Sequence, residues 1–336
     1  MTRLLSYSEI SRAMTCQAQW DFTYGGHLAG SALKKKAVAP ILSEGKAWGA
    51  AVAAYHAAGT GQAAIDAMDA QLHEDGERMR TFGLWSSDYH NEMRMHLLRL
   101  LNHYFSICKD FVLDYEGLEK ELIVPIPSRS GKRASSRYKL LSYLDGTRDR
   151  WLIEFKLRST LTAVEQLQLN RQIRIYAWAY WQHTGRKPIG VEVHERWNEA
   201  PKPPRILKSG RPSHAKDQLC TAQAYKDGCS EHGEVMVAET YDHLNQRRWQ
   251  QVVPIIFRDG ELEEAGRELV SAAKLIQQLD SGELFPVRNS RPQNCRGCAF
   301  KEICPSPDND LVDVLFERVP AKRERSDEPT VRRTAP

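Results

Sequence analysis

The order of predicted secondary structure indicates a mixed α/β fold. Segments 121–127, 139–146 and 151–157 read as short strands, with a plausible hairpin turn between the last two. Segment 163–183 has the apolar spacing of a helix, and 189–197 alternates like a fourth strand. Helices before these strands complete the order helix–strand–strand–strand–helix–strand. The overall content, 41% hydrophobic and 27% charged residues, is typical of a globular protein.

Further helices are predicted on both sides of the strands. A short helix is expected within residues 1–28, where Ser8 can cap the chain ahead of Glu9. Longer helices are expected at four places: 44–58, 61–80, 86–115 and 261–281. Residues 198–217 are rich in Pro, Lys and Arg, so we predict a loop there.

Composition excludes several classes of protein. Seven cysteines, an odd number, in a chain that starts without an apolar leader argue against a disulfide framework. No run of about 18 apolar residues exists, so we expect no membrane partner and a cytoplasmic location. The net charge of +4 permits nucleic-acid binding without arguing for it. Basic residues cluster in three places, and solvated loops explain each cluster equally well: 129–137, 202–216 and the tail after 318.

Asp145, Glu154 and Lys156 form the candidate catalytic group. Residues two apart in a strand point to one face, so Glu154 and Lys156 project together. With 146–150 as a hairpin turn, Asp145 ends the neighbouring strand within reach of Glu154. Two carboxylates can hold Mg²⁺ or Mn²⁺, and the cation then activates water for phosphodiester hydrolysis. The alternative is a solvent-facing strand, since Glu-x-Lys is frequent by chance.

Cys295, Cys298 and Cys304 form a tight thiolate group near the C-terminus. Three thiolates do not complete a four-ligand metal site. Cys16 on the first helix is the best candidate for the fourth ligand.

The pattern Asp-Gly followed by apolar-apolar-Glu-x-Lys resembles the PD-(D/E)xK nucleases of the RecB type. The resemblance implies a restriction-endonuclease-like core, a mixed central sheet flanked by helices. It also implies roles for the strand residues. Asp145 and Glu154 would bind the cation, with the backbone carbonyl of Phe155 as a further ligand. Lys156 would position the attacking water.

Gln172 and Tyr176 match the Q-x-x-x-Y motif that this family carries on its next helix. The two residues share a helix face because they are four apart. The resemblance implies that they contact DNA or support the metal ligands. The alternative is an amphipathic helix that uses Tyr176 for packing alone.

The first-helix motif departs from the family. These nucleases have G-x-x-x-H there, and its histidine completes the metal shell. Here Gly45 begins the motif, but Gly49 stands in the histidine position. His56 is two turns further, roughly 10 Å along the axis, so it is no simple substitute. His96 is a more remote candidate.

The cysteine pattern resembles that of iron–sulfur nucleases, namely AddB-type subunits and CRISPR-adaptation exonucleases. It implies a structural 4Fe–4S cluster that joins the two ends of the chain through four ligands: Cys16, Cys295, Cys298 and Cys304. Zinc held by the same four thiolates is the alternative, although zinc sites more often use two C-x-x-C pairs. The combined resemblance covers about residues 5–305.

These predictions combine into one nuclease domain, with a helical, Fe–S-stapled surround around the core. The domain is predicted at 1–317 and a disordered polar tail at 318–336. Within the domain, the predicted core and Fe–S regions are 44–58 with 118–200, and 5–28 with 285–306. In the basic loop, Lys208, Arg211 and Lys216 are expected to contact DNA phosphates.

The leading functional hypothesis is an exonuclease that acts at DNA ends, with single-stranded DNA or free DNA ends as its binding partner. Segment 204–217 resembles one in phage-encoded exonucleases, which implies phage DNA replication or recombination, a protein partner from that process and a location in the host cytoplasm. The chain has no G-x-x-x-x-G-K-[ST] phosphate loop, so no fused motor is predicted. Two alternatives remain: a CRISPR-adaptation nuclease that trims spacers, and a non-catalytic DNA-end-binding module, which Gly49 favours.

Overall fold

A computed structural model describes residues 2–108, 118–128 and 134–322. The strands within these ranges are β1 Arg3–Ser6, β2 Ala32–Lys35, β3 Lys120–Pro127, β4 Ala134–Leu144, β5 Gly146–Arg148, β6 Trp151–Arg158, β7 Gly190–Trp197, β8 Gln250–Ile256 and β9 Phe316–Val319. The helices are α1 Tyr7–Thr15, α2 Gln17–Trp20, α3 Pro40–Ala58, α4 Gly61–Thr81, α5 Ser87–Ile107, α6 Val164–Gln168, α7 Arg171–Thr184, α8 Ala222–Glu231, α9 Ala238–Asn245, α10 Glu261–Asp280, α11 Pro292–Cys295 and α12 Asn309–Leu315. A π-helical turn, Asp21–Gly25, follows α2.

The strands form separate mixed sheets, which confirms the predicted α/β class. In the four-stranded sheet β5-β6-β7-β8, β6 and β7 are parallel, and the two outer strands run antiparallel to their neighbours. In the three-stranded sheet β1-β4-β3, β1 is parallel and β3 antiparallel to β4. The pair β2-β9 joins the N-terminal and C-terminal regions.

The hairpin that brings Asp145 to β6 differs from the predicted one. The predicted strand 139–146 is interrupted at Asp145, and the chain continues as β5 in the other sheet. β5 pairs with β6 through a two-residue turn, Asp149 and Arg150, which both have positive φ. Such turns suit tight hairpins because their twist matches that of the strands. Residues 146–150 are therefore a strand followed by a turn, and Asp145 lies where the chain changes sheets.

The two faces of β6 are covered by different helices. Leu152 lies in a core built with α1, α7 and α10. Ile153 and Phe155 lie in a second core with α3, α4 and α5. Because side chains alternate along a strand, Glu154 and Lys156 belong to the α7 face.

Helix α7 is held against this face by a close approach of α10. At Gly266 on α10, an added Cβ would lie 2.7 Å from Trp178 Nε1 on α7. Any larger residue would therefore force the Trp178 indole or one of the two helices to shift. Gly266 thus helps to fix the position of α7, the helix that carries Gln172 and Tyr176.

Several predicted boundaries are wrong. Ser6, not Ser8, caps α1 by accepting from Glu9 N. The predicted helix 163–183 is broken between α6 and α7, and the side chain of Asn170 caps the second part. The C-terminal strand β9 extends past the predicted boundary at residue 317 because it pairs with β2.

Other predictions fall partly outside the described residues. The predicted helix 86–115 is described as far as Ile107. Residues 129–133 of one basic cluster and 323–336 of the tail lie outside the described ranges. Within those ranges, no helix is both long and apolar enough to cross a bilayer.

Candidate active site

Asp145 lies next to β6, in contact with its backbone. Its Oδ2 atom accepts a hydrogen bond from Phe155 N at 2.7 Å. The register pairs Gly146 with Ile153, so the preceding residue lies beside Glu154. The sheet change at Asp145 therefore places this residue beside Glu154 in a way that differs from the predicted hairpin turn.

Glu154 and Lys156 form an ion pair on the α7 face of β6. Lys156 Nζ contacts Glu154 Oε1, and the Glu154 side chain is buried while the Lys156 side chain is partly exposed. A buried carboxylate needs a charged or hydrogen-bonding partner. Lys156 supplies it on one side of Glu154.

Helix α7 supplies a second partner for Glu154. Gln172 Nε2 donates to Glu154 Oε1 at 3.2 Å. Asn170 Oδ1 accepts from Gln172 N at 2.9 Å, which fixes the first turn of the helix. Tyr176 lies one turn further, with its ring edge-on to Tyr7 of α1 at 6.2 Å. Helix α7 therefore presents the Gln172 amide and the Tyr176 phenol to the acidic residues, in addition to packing against the core.

The pKa shifts show that these groups share a poorly solvated space. Burial, and then repulsion from Glu154, raises the pKa of Asp145. Burial alone would lower the pKa of Lys156, but the carboxylates of Glu154 and Asp145 outweigh it and raise that pKa. Burial and Glu154 raise the pKa of Tyr176 to about 12. A buried carboxyl group whose ionisation is opposed by burial and by a neighbouring acid, as at Asp145, is a suitable environment for a cation.

The donor set suits a hard divalent cation. Asp145 and Glu154 supply carboxylate oxygens, and the carbonyl of Phe155 lies between them in the chain. No group of three or more His, Cys, Asp or Glu side chains is arranged to hold a metal within the described parts of the chain. Mg²⁺ is compatible with this because it often takes one or two carboxylates and keeps several waters.

The histidines considered from sequence lie elsewhere. The His56 ring stacks on Phe155, on the face of β6 opposite Glu154, and its Nε2 is 2.9 Å from Tyr104 OH. His96 Nε2 is 2.8 Å from Asn198 Oδ1. A Cβ at Gly49 would meet no atom within 4 Å. Neither histidine therefore replaces the one that the family places at Gly49.

The cysteine region brings the two ends of the chain together. Asn289 N donates to Cys16 Sγ at 3.4 Å, and Cys295 Sγ donates to Asn289 O at 3.8 Å. Burial raises the pKa of Cys298, and the other thiols, including that of Cys304, raise it further. Cys16, Cys298 and Cys304 pack against one small core, and none of the four cysteines forms a disulfide. In the described part of the chain their thiols are not drawn together into a metal-binding arrangement.

The basic loop carries fewer unpaired cations than its sequence suggests. Arg211 Nε is 3.0 Å from Glu234 Oε1, and Lys216 forms an ion pair with Glu239. Lys208 is exposed. Nothing in the described contacts joins these three residues to the acids of β6.

One basic residue near the acids was not predicted. Arg158 continues the alternation of Glu154 and Lys156 along β6, and it forms an ion pair with Glu195 of β7. The alternation itself was the available signal. The acidic partner comes from another strand, so sequence spacing gave no sign of it.

Comparison with known proteins assigns a family. The model of the PD-(D/E)XK nuclease superfamily matches residues 4–305. No curated protein matches the chain. Among solved structures, the chain is similar to a protein from Eubacterium rectale that carries the name "Putative exonuclease", with 11% identity, 86% of this chain and 90% of that chain covered, and a TM-score of 0.40. It is also similar to SSO0001, with 12% identity, 71% and 82% covered, and a TM-score of 0.30. The family match, over most of the chain and including the acids, the lysine and the cysteines, shows that this protein belongs to the PD-(D/E)XK nuclease superfamily.

Proposed function

We propose that the protein is a divalent-metal-dependent DNA exonuclease whose site is built on β6 and α7. The observation that carries the proposal is the convergence on Glu154: Lys156 and Gln172 both contact its Oε1 atom. Asp145 is held beside them by Phe155 N. A family member with this arrangement has the groups that phosphodiester hydrolysis requires.

Each side chain has a distinct proposed role. Asp145 and Glu154, with the Phe155 carbonyl, would hold Mg²⁺ or Mn²⁺, which when bound polarises the phosphate and activates a water. Lys156 stays protonated because its pKa is raised, so it acts as a hydrogen-bond donor to the water or the developing charge.

The helix side of the site orients these groups. Gln172 fixes the Glu154 carboxylate by donating to Oε1. Tyr176 keeps its phenolic proton at neutral pH, because its pKa is about 12, and so it donates rather than accepts a proton. Together they hold the acid in one orientation before DNA arrives.

The second part of the proposal concerns the four cysteines. We propose that Cys16, Cys295, Cys298 and Cys304 ligate a structural 4Fe–4S cluster, with zinc as the alternative. Cys16 and Cys295 both contact Asn289, none of the four cysteines forms a disulfide, and four thiolates are a donor set that either metal accepts. Iron and zinc analysis of anaerobically purified protein, with electron paramagnetic resonance, distinguishes them. Absence of both metals, in protein with intact thiols, contradicts this part.

The substrate and pathway are inferred from resemblance. Action on DNA ends or single-stranded DNA is proposed from the resemblance to this group of nucleases. A role in phage replication or recombination is proposed from the likeness of segment 204–217 to phage exonucleases. On this hypothesis Lys208, Arg211 and Lys216 contact phosphates, with Arg211 and Lys216 exchanging their acidic partners for DNA. Co-purification with integrase-like proteins would instead favour spacer trimming.

Digestion of end-labelled linear DNA and of matched circular DNA, with and without Mn²⁺, tests the activity. We expect Mn²⁺-dependent loss of linear DNA and survival of circular DNA. Equal digestion of both would indicate an endonuclease. Binding of linear ends without digestion in any divalent cation would favour the non-catalytic module, the alternative that Gly49 in place of the family's histidine supports.

A further inference from the structure

Arg158 extends the catalytic face of β6 towards solvent. Glu154, Lys156 and Arg158 are two apart and therefore share a face. Their side chains are 6%, 28% and 37% exposed in that order. The face thus opens progressively from the buried acid to the guanidinium. Arg158 is thus the most exposed of the three charged side chains on this face.

Arg158 is held in place by a buried acid on the neighbouring strand. Its Nε atom is 3.0 Å from Oε1 of Glu195, whose side chain has no exposed surface. Glu195 also accepts from Thr162 N and Thr162 Oγ1, both at 2.7 Å, and from Gln251 Nε2 at 2.8 Å. Burial alone would raise the pKa of Glu195, but these donors outweigh it and lower the pKa.

Glu195 contacts only the Nε atom of Arg158, which leaves the two Nη groups available for another ligand. Glu195 takes its other hydrogen bonds from Thr162 and Gln251, so it has no second oxygen to offer to the Nη groups of Arg158. Those Nη groups have no partner among the described residues. An arginine fork fits phosphate oxygens, so it suits a negatively charged backbone.

Two other arginines show what a purely structural role looks like. Arg196 of β7 is buried, and its Nη atoms bond Trp249 O, His103 Nδ1 and Glu199 O. Arg94 of α5 has nearly the exposure of Arg158, but it bonds Asp69 through Nε and Nη2, at 2.7 and 2.8 Å. Arg158 differs from both, because in the described part of the chain only its Nε atom is bonded to another side chain.

We propose that Arg158 binds the DNA backbone phosphate adjacent to the phosphate that is cleaved, and that Glu195 is the residue that positions Arg158. The inference rests on the proposed function and names one further contact of the same site. The Arg158 backbone lies about 6.6 Å along the strand from Lys156, from the usual strand rise. A phosphate bound there would be next to the site of hydrolysis, and the contact would be independent of base sequence.

The test measures DNA binding of Arg158→Met with Ca²⁺ in place of Mg²⁺, at several salt concentrations. We expect Kd for a single-stranded oligonucleotide to rise about fivefold to tenfold. The slope of log Kd against log salt should fall by about 1, as for the loss of one phosphate contact. Arg94→Met is the matched control, and it should leave Kd and slope unchanged. Wild-type values in Arg158→Met would overturn the inference.

A second pair of variants tests the positioning role. Arg158→Lys keeps the charge but loses the fork, so its Kd should lie between those of the wild type and Arg158→Met. Glu195→Gln alone should raise Kd above the wild-type value. In the double variant with Arg158→Met it should cause no further rise, because either change removes the same contact. Additive effects would overturn the assignment of Glu195.

The outcomes separate this inference from the proposed function. A wild type that digests DNA, together with an Arg158→Met variant that binds DNA as well as the wild type, would refute the inference alone. A wild type that neither binds nor digests DNA would refute the proposed function, and the inference would fall with it.

Discussion

The acidic site and the cysteine site are built in opposite ways. The acidic site uses residues 145–176, which one hairpin and the next helix bring together. The cysteine site joins Cys16 to residues 295–304, at the other end of the chain. The first depends on local strand pairing, and the second depends on the docking of two distant segments. Mutations in the acidic site should therefore mainly lower the rate of hydrolysis. Mutations in the cysteine site should mainly lower the stability of the fold.

The docking of the chain ends has supports apart from the cysteines. Strand β2 pairs with β9, and Ala18 N donates to Val287 O at 3.1 Å. Asn289 Nδ2 donates to Thr15 O at 2.7 Å. The N-terminal Glu9 is buried and contacts both Arg3 and Lys322. Loss of the cysteine site should therefore weaken the fold without abolishing it.

The largest expected effect is on the rate of hydrolysis. Glu154→Gln and Lys156→Met each remove one partner of the buried ion pair. We expect each to lower the initial rate of DNA digestion by about 10³-fold, the scale for losing a group that stabilises charge at a reaction centre. Gel-based rates check this, and iron content should stay at the wild-type level. A rate within tenfold of the wild type would contradict the assignment of the site.

The next effect is on stability at the cysteine site. Cys298→Ser should lower the free energy of unfolding by about 3 kcal/mol and remove bound iron or zinc, since metal binding stabilises the fold that presents its ligands. Cys108→Ser is the matched control because Cys108 is half-buried in another core. Thermal unfolding and metal analysis measure both variants. Equal stability of the two variants would break the contrast between the sites.

A smaller effect should appear in the metal-free acidic site. The pKa of Asp145 is raised in the folded state, so folding favours its protonated form. The stability of metal-free protein should fall as pH rises from the unfolded value near 4 through the raised folded value. Asp145→Asn should remove this dependence and stabilise metal-free protein by about 1 kcal/mol at pH 7, while abolishing digestion. Unfolding curves in EDTA at several pH values test this, and a destabilised variant would contradict it.

The smallest expected effect comes from the helix side of the site. Gln172→Ala removes one hydrogen bond to Glu154, worth about 1 kcal/mol, so the rate should fall about fivefold. Gln168→Ala, on the exposed part of α6, is the control and should have the wild-type rate. A loss as large as that for Lys156→Met would show that Gln172 has a direct chemical role.

Short spacings explain which parts were predictable from sequence. The pairing of Glu154 with Lys156 follows from strand alternation, and that of Gln172 with Tyr176 from the helix repeat. The change of sheet at Asp145 was not predicted, because Asp-Gly also suits the hairpin turn that was expected there. Ser6 and Ser8 are equally good caps by residue type, so composition could not choose between them.

Long-range contacts explain the rest. Strand β2 becomes a strand through β9, about 280 residues later in the chain. The hydrogen-bond network that holds Arg158 requires donors and acceptors from β7, β8 and the segment before α6. No local pattern specifies such a set, because each member is an ordinary polar residue in its own segment. The grouping of Cys295, Cys298 and Cys304 was inferred from their spacing, whereas the iron–sulfur cluster that joins them to Cys16 was inferred from family resemblance.

Anomalous diffraction from crystals grown with Mn²⁺ tests the central claim most directly. The account predicts a manganese peak within coordination distance of Asp145, Glu154 and the Phe155 carbonyl, and no such peak in Glu154→Gln crystals. A fully occupied manganese ion elsewhere, with these three groups uncoordinated in active protein, would contradict it.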